Sequence, residues 1–276
     1  MRYTFMRFPN FRRKAVTLSY DDGKVYDRKL IEIMDKHGLK GTFNINGGLF
    51  PNETGGIRLT KEEAYELYAN SPHEVAAHGF YHLSLGEVDQ GMATRDVMRD
   101  RELLEETFGR VIKGMAYPNG SWDDKVVETL KNCGISYSRT TASTEAFAVP
   151  EDWLRMPATC HHNNPRLMEL AKAFVEAGES RNVWARNPML FYLWGHSYEF
   201  NDNDNWHVIE EFAEYIGGRE EIWYATNGEI YEYVQAFKSL QFSANGTYIR
   251  NPSALDVYLY YHGQNVLVPA GKTVTA

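Results

Sequence analysis

Short apolar runs alternate with amphipathic stretches along most of the chain. Ala15-Val16-Thr17-Leu18 has the length and content of a buried strand and runs into Ser19-Tyr20-Asp21-Asp22-Gly23. From Val25 to His37 the apolar residues Leu30, Ile31, Ile33 and Met34 recur with helical period, and Gly38 supplies a stop. A second strand is expected over Gly41 to Asn46. Thr60-Lys61-Glu62-Glu63 has the form of a capping box, so a helix begins there and ends before Ser71-Pro72. The pattern then predicts strands at Glu74–Ala77, Lys113–Tyr117 and Ile135–Arg139, with helices over Ala93–Phe108 and Asp123–Cys133. Trp153 to Thr159 reads as an irregular sixth strand because it contains a proline. Helix at 165–177, strand at 189–194, helix at 206–216, strand at 221–226 and helix at 228–240 complete the series. Beyond Leu240 only short β-type runs occur, at 246–250, 256–261 and 265–268.

Such alternation places the chain in the α/β class, with a parallel sheet covered by helices. The expected architecture is a distorted (β/α) barrel of about seven strands over residues 1–240. A small C-terminal β segment, residues 241–276, is expected to pack on the same domain, since it is too short to fold alone. A doubly wound open sheet is the alternative. No strand is followed by a glycine-rich phosphate fingerprint, which weakens nucleotide and dinucleotide readings.

Composition narrows the field. The chain has 276 residues, a formal net charge of -8 and 43% hydrophobic residues. That acidic balance argues against nucleic-acid and anionic-membrane partners. No uncharged apolar run is long enough to span a bilayer. Cys133 and Cys160 cannot form a disulfide framework and are expected to be reduced and packed. Met1 to Lys14 is basic but lacks a signal-peptide core, so a cytoplasmic protein is expected; a processed secreted form would read the same way.

In an α/β barrel, chemistry gathers where the strands end. The first strand ends in Asp21-Asp22, the third in His78-Gly79-Phe80-Tyr81-His82, and the fourth in Tyr117-Pro118-Asn119-Gly120. The strand at 189–194 runs into Leu193-Trp194-Gly195-His196. His78 and His82 are four apart, which on a helical turn puts both imidazoles on one side. With Asp22 they would form a two-histidine, one-carboxylate set that leaves positions open for water and substrate. The donors suit Zn2+, with Co2+, Ni2+, Fe2+ or Mn2+ as alternatives. Each piece also has a plainer reading: Asp-Asp-Gly is ordinary turn chemistry, and a single histidine is more often structural.

Taken together, the motifs resemble those of polysaccharide deacetylases of the NodB-homology type. That family's Thr-Phe-Asp-Asp-Gly stands here as Ser19-Tyr20-Asp21-Asp22-Gly23, its paired-histidine motif as His78 to His82, and its Leu-x-x-His as Leu193 to His196. The resemblance implies a divalent metal on Asp22, His78 and His82, with Asp21 as general base and His196 as general acid. It further implies that Leu193 lines a pocket for the acetyl methyl and that the Asn119 amide N–H helps stabilise the oxyanion. Tyr117, Trp153 and Trp194 join Leu193 and Asn119 as candidate substrate contacts, against the bland reading of tryptophan as core.

Two departures matter. The family has an arginine where Ala116 stands here, and the segment that orients its acid histidine survives only as Glu151-Asp152-Trp153. Arg155 is the first candidate to replace the missing arginine on Asp21, and Arg139 the second. His161-His162 is read as a loop pair rather than a cleft element, and Tyr198-Glu199 is a weak candidate for shaping the pocket. The leading expectation is a metal-dependent hydrolase that removes acetyl from an N-acetylated sugar or glycan. The alternatives are a carbohydrate-binding relative with weakened catalysis, motivated by Ala116, and a hydrolase of another C–N bond such as a cyclic ureide.

Overall fold

A computed structural model of the chain describes residues 3–178 and 186–276. The organising strand is β2 (Lys14–Asp21), whose eight residues are all buried. Its faces do different work. Val16, Leu18 and Tyr20 join the apolar layer between sheet and helices. The alternate positions Thr17, Ser19 and Asp21 turn inward and are paired: Thr17 donates to Asn227 (3.0 Å), and Asn44 donates to Ser19 and Asp21 (both 2.8 Å). A strand buried on both sides reads as a continuous run, yet its inner face here is polar and satisfied.

Parallel strands β3 (Gly41–Ile45), β4 (Glu74–Ala77), β5 (Gly114–Ala116) and β6 (Tyr137–Ser143) follow in order from one edge of β2. The other edge pairs with β9 (Met189–Gly195). The ring closes through β7 (Met156–Ala158), parallel to β6, and β8 (Cys160–His161), parallel to β9. Between β7 and β8 the Thr159 N–H donates to the Tyr192 carbonyl at 2.8 Å. The segment expected as an irregular sixth strand is therefore one broken stave that touches its two neighbours in turn. Counting it once gives a distorted barrel of seven staves, β2 to β6, β7/β8 and β9. Short β10 (Ile222–Tyr224) adds to the starting end of β2.

The helices α1 (Asp27–Lys36), α2 (Lys61–Tyr68), α3 (Gln90–Phe108), α4 (Asp124–Asn132), α5 (Leu167–Glu176) and α7 (His207–Ile216) fall where the periodicity predicts them. Helix α6 (Ser197–Asp202) is six residues long and was not foreseen. Helix α8 (Asn227–Lys238) plugs the barrel at the amino ends of its strands: Asn227 accepts from Thr17 and donates to the Tyr192 hydroxyl at 2.7 Å.

Strand β1 (Thr4–Arg7), also unforeseen, pairs antiparallel with β13 (Val257–Tyr261), which pairs with β14 (Gln264–Val268). A second small sheet joins β11 (Gln241–Phe242), β12 (Tyr248–Arg250) and β15 (Thr273–Thr275). Ala236 of α8 and Leu240 just beyond it share a core with Ile249, Val257 and Leu259, which ties these strands to the barrel. Both cysteines are free and buried. No described helix is long and apolar enough to cross a membrane.

Candidate active site

At the carboxyl end of β2 the two aspartates diverge. Asp21 completes the inward face of the strand and is 2% exposed. One oxygen accepts from Asn44 at 2.8 Å; the other takes a hydrogen bond from the buried Arg139 guanidinium. His78 Nε2 lies 3.7 Å and His196 Nε2 3.9 Å from that second oxygen. Burial pushes the Asp21 pKa up, but Arg139 and then the two histidines outweigh it and hold the carboxyl at about 2. Asp21 is thus an ionised acceptor throughout the neutral range.

Asp22 has φ 85, a left-handed conformation that non-glycine residues seldom adopt. The turn carries its carboxylate out of the strand toward the histidine loop. Asp22 Oδ1 is buried without a hydrogen-bond partner and lies 3.7 Å from His82 Nε2. Donor atoms of Asp22, His78 and His82 all fall within 4.8 Å of one another. His78 Nδ1 is 2.9 Å from the Ala116 carbonyl oxygen, which only accepts, so the proton stands on Nδ1 and the Nε2 lone pair is free. Burial lowers the His78 pKa and favours the neutral ring. An orphaned buried oxygen, a neutral imidazole in the right tautomer and a second imidazole beside it fit a divalent cation.

The His78–His82 segment is a loop, not the helical turn expected from the spacing. Gly79 (φ 75) and His82 (φ 58) bend it, and ring centroids of the two histidines come to 4.8 Å. What holds the bend is α3. Asp100 accepts the N–H groups of His78 (2.9 Å) and Gly47 (2.6 Å), and Asp96 accepts that of Tyr81 (3.0 Å). Burial pushes the Asp100 pKa up to about 8 despite these bonds. Sequence reasoning missed both residues. The available signal was a pair of acids four apart on the face of α3 that carries Ala93, Val97 and Leu104.

Arg155 does not reach Asp21. It pairs with Asp152 (2.6 Å) and Asp124 (2.5 Å) at the surface, because the turn before β7 aims it outward. Arg139 is the arginine on Asp21. Its position faces Ala116 directly across the β5–β6 pair, so the guanidinium arrives at the same height from the adjacent strand. Trp194, 9% exposed, lies under it at 4.2 Å.

Three of the other expected substrate contacts, Leu193, Tyr117 and Trp153, are taken up in packing. Leu193 is fully buried in the layer between sheet and helices, on the face of β9 opposite Trp194, so it offers no surface to an acetyl group. Tyr117 is also buried and donates its hydroxyl to the Leu154 carbonyl at 2.7 Å. Trp153 packs edge-on against Tyr231 of α8. Asn119 is exposed, with φ 55, in the turn after β5, and its side chain reaches Ser84.

On the far side of Asp21, His196 leads into α6. Its Nδ1 is 3.3 Å from Glu199 Oε2. His161 and His162 approach the same oxygen at 3.2 and 3.1 Å, so the pair expected to be a mere loop belongs to the site. Burial lowers the His196 pKa, but the Glu199 bond and the Asp21 charge prevail and raise it. The Glu199 carboxyl is driven far below the usual range: its burial is outweighed by the three imidazoles.

One end of the α/β barrel thus gathers carboxylates, imidazoles and an arginine. Residues 9–138, just under half of the chain, match the family model described as polysaccharide deacetylase. It is 23% identical over 163 residues to the poly-beta-1,6-N-acetyl-D-glucosamine N-deacetylase of Staphylococcus epidermidis, covering 53% of this chain and 54% of that one. It is 27% identical over 106 residues to protein YlxY of Bacillus subtilis, covering 38% of this chain and 31% of that one. The chain thus spans about a third to a half of the curated relatives it matches. Among solved structures, a polysaccharide deacetylase-like protein from Mycobacterium smegmatis shares the fold at a TM-score of 0.60 and 19% identity, covering 84% of this chain and 93% of that one.

Proposed function

We propose that the protein is a metal-dependent hydrolase that removes acetyl from an N-acetylated carbohydrate. The observation that carries this reading is the meeting of Asp21, Asp22, His78, His82 and His196 from three distant loops at one barrel end. Asp22, His78 and His82 would hold the cation, and their donor types suit zinc. Bound there, such an ion supplies Lewis acidity, polarising the carbonyl and lowering the pKa of water toward about 7.

The chain's own groups account for the protons. Asp21 stays ionised beside Arg139 and takes a proton from the attacking water. His196, poised by carboxylates on two sides, presents Nε2 toward the same space and protonates the departing amine, without which an amine is a poor leaving group. Arg139 on Asp21 supports catalysis over the carbohydrate-binding alternative, which had rested on Ala116. The test is acetate release from N-acetylglucosamine oligomers by protein loaded with Zn2+ or Co2+. Release that is abolished by Asp21→Asn is expected; no release from any N-acetyl or O-acetyl sugar would refute the proposal.

A further inference from the structure

Two groups of residues near the barrel mouth have metal-ligand composition: Asp22, His78 and His82, and separately His161, His196 and Glu199. Their tautomers set them apart. In the first, a carbonyl fixes the His78 proton on Nδ1 and frees the Nε2 lone pair. In the second, His161 Nδ1 accepts the Asn163 N–H at 3.2 Å, which puts the ring proton on Nε2, facing Glu199. A nitrogen that carries a proton has no lone pair to offer an ion. The second group is a hub of donors around one carboxylate.

We propose that Glu199 is the positioning residue of the acid histidine, fixing the His196 proton-bearing Nδ1 so that Nε2 points into the site. The assignment rests on the deacetylase reading for its catalytic meaning. The remnant of the family's orienting segment is unavailable: Asp152 is committed to Arg155 and the Leu154 N–H, and Trp153 packs on Tyr231. Glu199 does the job from three residues after the histidine. It is itself anchored, accepting the His196 N–H at 3.2 Å in the first turn of α6, where a helix dipole favours an anion. Behind it His162, fully buried against Phe200, brings Nε2 to 3.1 Å. Gly195 makes room: a Cβ there would fall 2.1 Å from His162 Nδ1. The groups facing His196 are then Glu199 and His161 on one side, Asp21 and Asp22 on the other, with the rings of Trp194 and Tyr198 between.

A carboxylate that serves only the acid should matter only when the leaving group needs a proton. Glu199→Ala should cut turnover of an N-acetylglucosamine oligomer by about 10²-fold or more, while 4-nitrophenyl acetate, whose leaving group needs no proton, should lose no more than about threefold. Glu199→Gln keeps an oxygen acceptor and the turn of α6, so it should fall between and guards against a folding defect. Parallel loss on both substrates, or no loss on the amide, overturns the proposal. Nitrogen-15 NMR of the metal-free protein gives a readout independent of turnover. His196 should titrate lower in Glu199→Gln, by on the order of one pH unit, and lose its preference for a proton on Nδ1. An unchanged His196 spectrum overturns the proposal. A shifted spectrum in a protein that releases no acetate sinks the deacetylase reading and leaves the positioning of His196 by Glu199 standing.

Discussion

Arg139 offers the sharpest test of how the site is held. Arg139 and Asp21 are 1% and 2% exposed, so the pair is withdrawn from water. Replacing Arg139 with Met keeps the apolar stem over Trp194 but leaves Asp21 with one side-chain hydrogen bond, from the neutral Asn44, and the two imidazoles at 3.7 and 3.9 Å. Breaking a buried pair from one side costs about 3–5 kcal/mol, mostly through the charge left behind. The pKa gives an independent figure. The fall from 3.8 to about 2 in the Asp21 pKa corresponds to about 2.4 kcal/mol of linkage. Because the folded pKa is depressed, this stability is fully present above pH 3.8 and is lost as pH falls through about 2. In Arg139→Met the buried carboxyl can take up a proton instead, so the penalty should be largest at neutral pH and shrink toward pH 3. Urea unfolding of the chelated protein from pH 3 to pH 7 measures this. A cycle with Asp21→Asn should show coupling of about 2 kcal/mol or more. Arg155→Ala, which removes two exposed ion pairs, serves as the control and should cost no more than about 1 kcal/mol. A penalty for Arg139→Met that is independent of pH, or additive with Asp21→Asn, would refute the reasoning.

Asp100→Ala orphans the Gly47 N–H and leaves the His78 N–H with the Ile45 carbonyl alone (3.0 Å), so it should cost about 1–3 kcal/mol by urea unfolding, with weakened Co2+ binding by calorimetry; Asp100→Asn, which keeps one acceptor, should cost less. A metal affinity unchanged in Asp100→Ala would show that α3 does not set the histidine loop. Asp27, buried and bonded by the Tyr68 hydroxyl at 2.6 Å, is pushed up to about 7 by burial. A carboxyl raised in the fold costs stability as pH climbs from 3.8 toward 7. Asp27→Asn should therefore gain on the wild type by up to about 4 kcal/mol between pH 4 and pH 8, and a difference that stays flat would sink the idea.

The strands and longer helices were legible because each carries a period over many residues. Helix α6 is too short for one, and β1 is visible only through its distant partner β13. The clustering of Asp22, His78 and His82 was legible because each residue stands at or just beyond a strand end. The loop that bends the two histidines together was not, since its restraint comes from Asp96 and Asp100 on another helix. Leu193 was misplaced for a local reason: one step along a strand reverses the face, and Trp194 takes the inward one.

The arginine and the acid's carboxylate show why motif reading stops where it does. What Asp21 needs is a guanidinium at one height inside the barrel. Ala116 and Arg139 are cross-strand partners, so moving the arginine from β5 to β6 alters its sequence position by 23 residues and its height not at all. What His196 needs is a carboxylate on Nδ1. Glu199 supplies it from the next turn of chain, not from another strand. In both cases the physical requirement names a place and a charge, and a folded barrel can meet it from any neighbouring element. A missing motif residue therefore argues against catalysis only after every side chain facing the same spot has been counted, and here that count restores both partners.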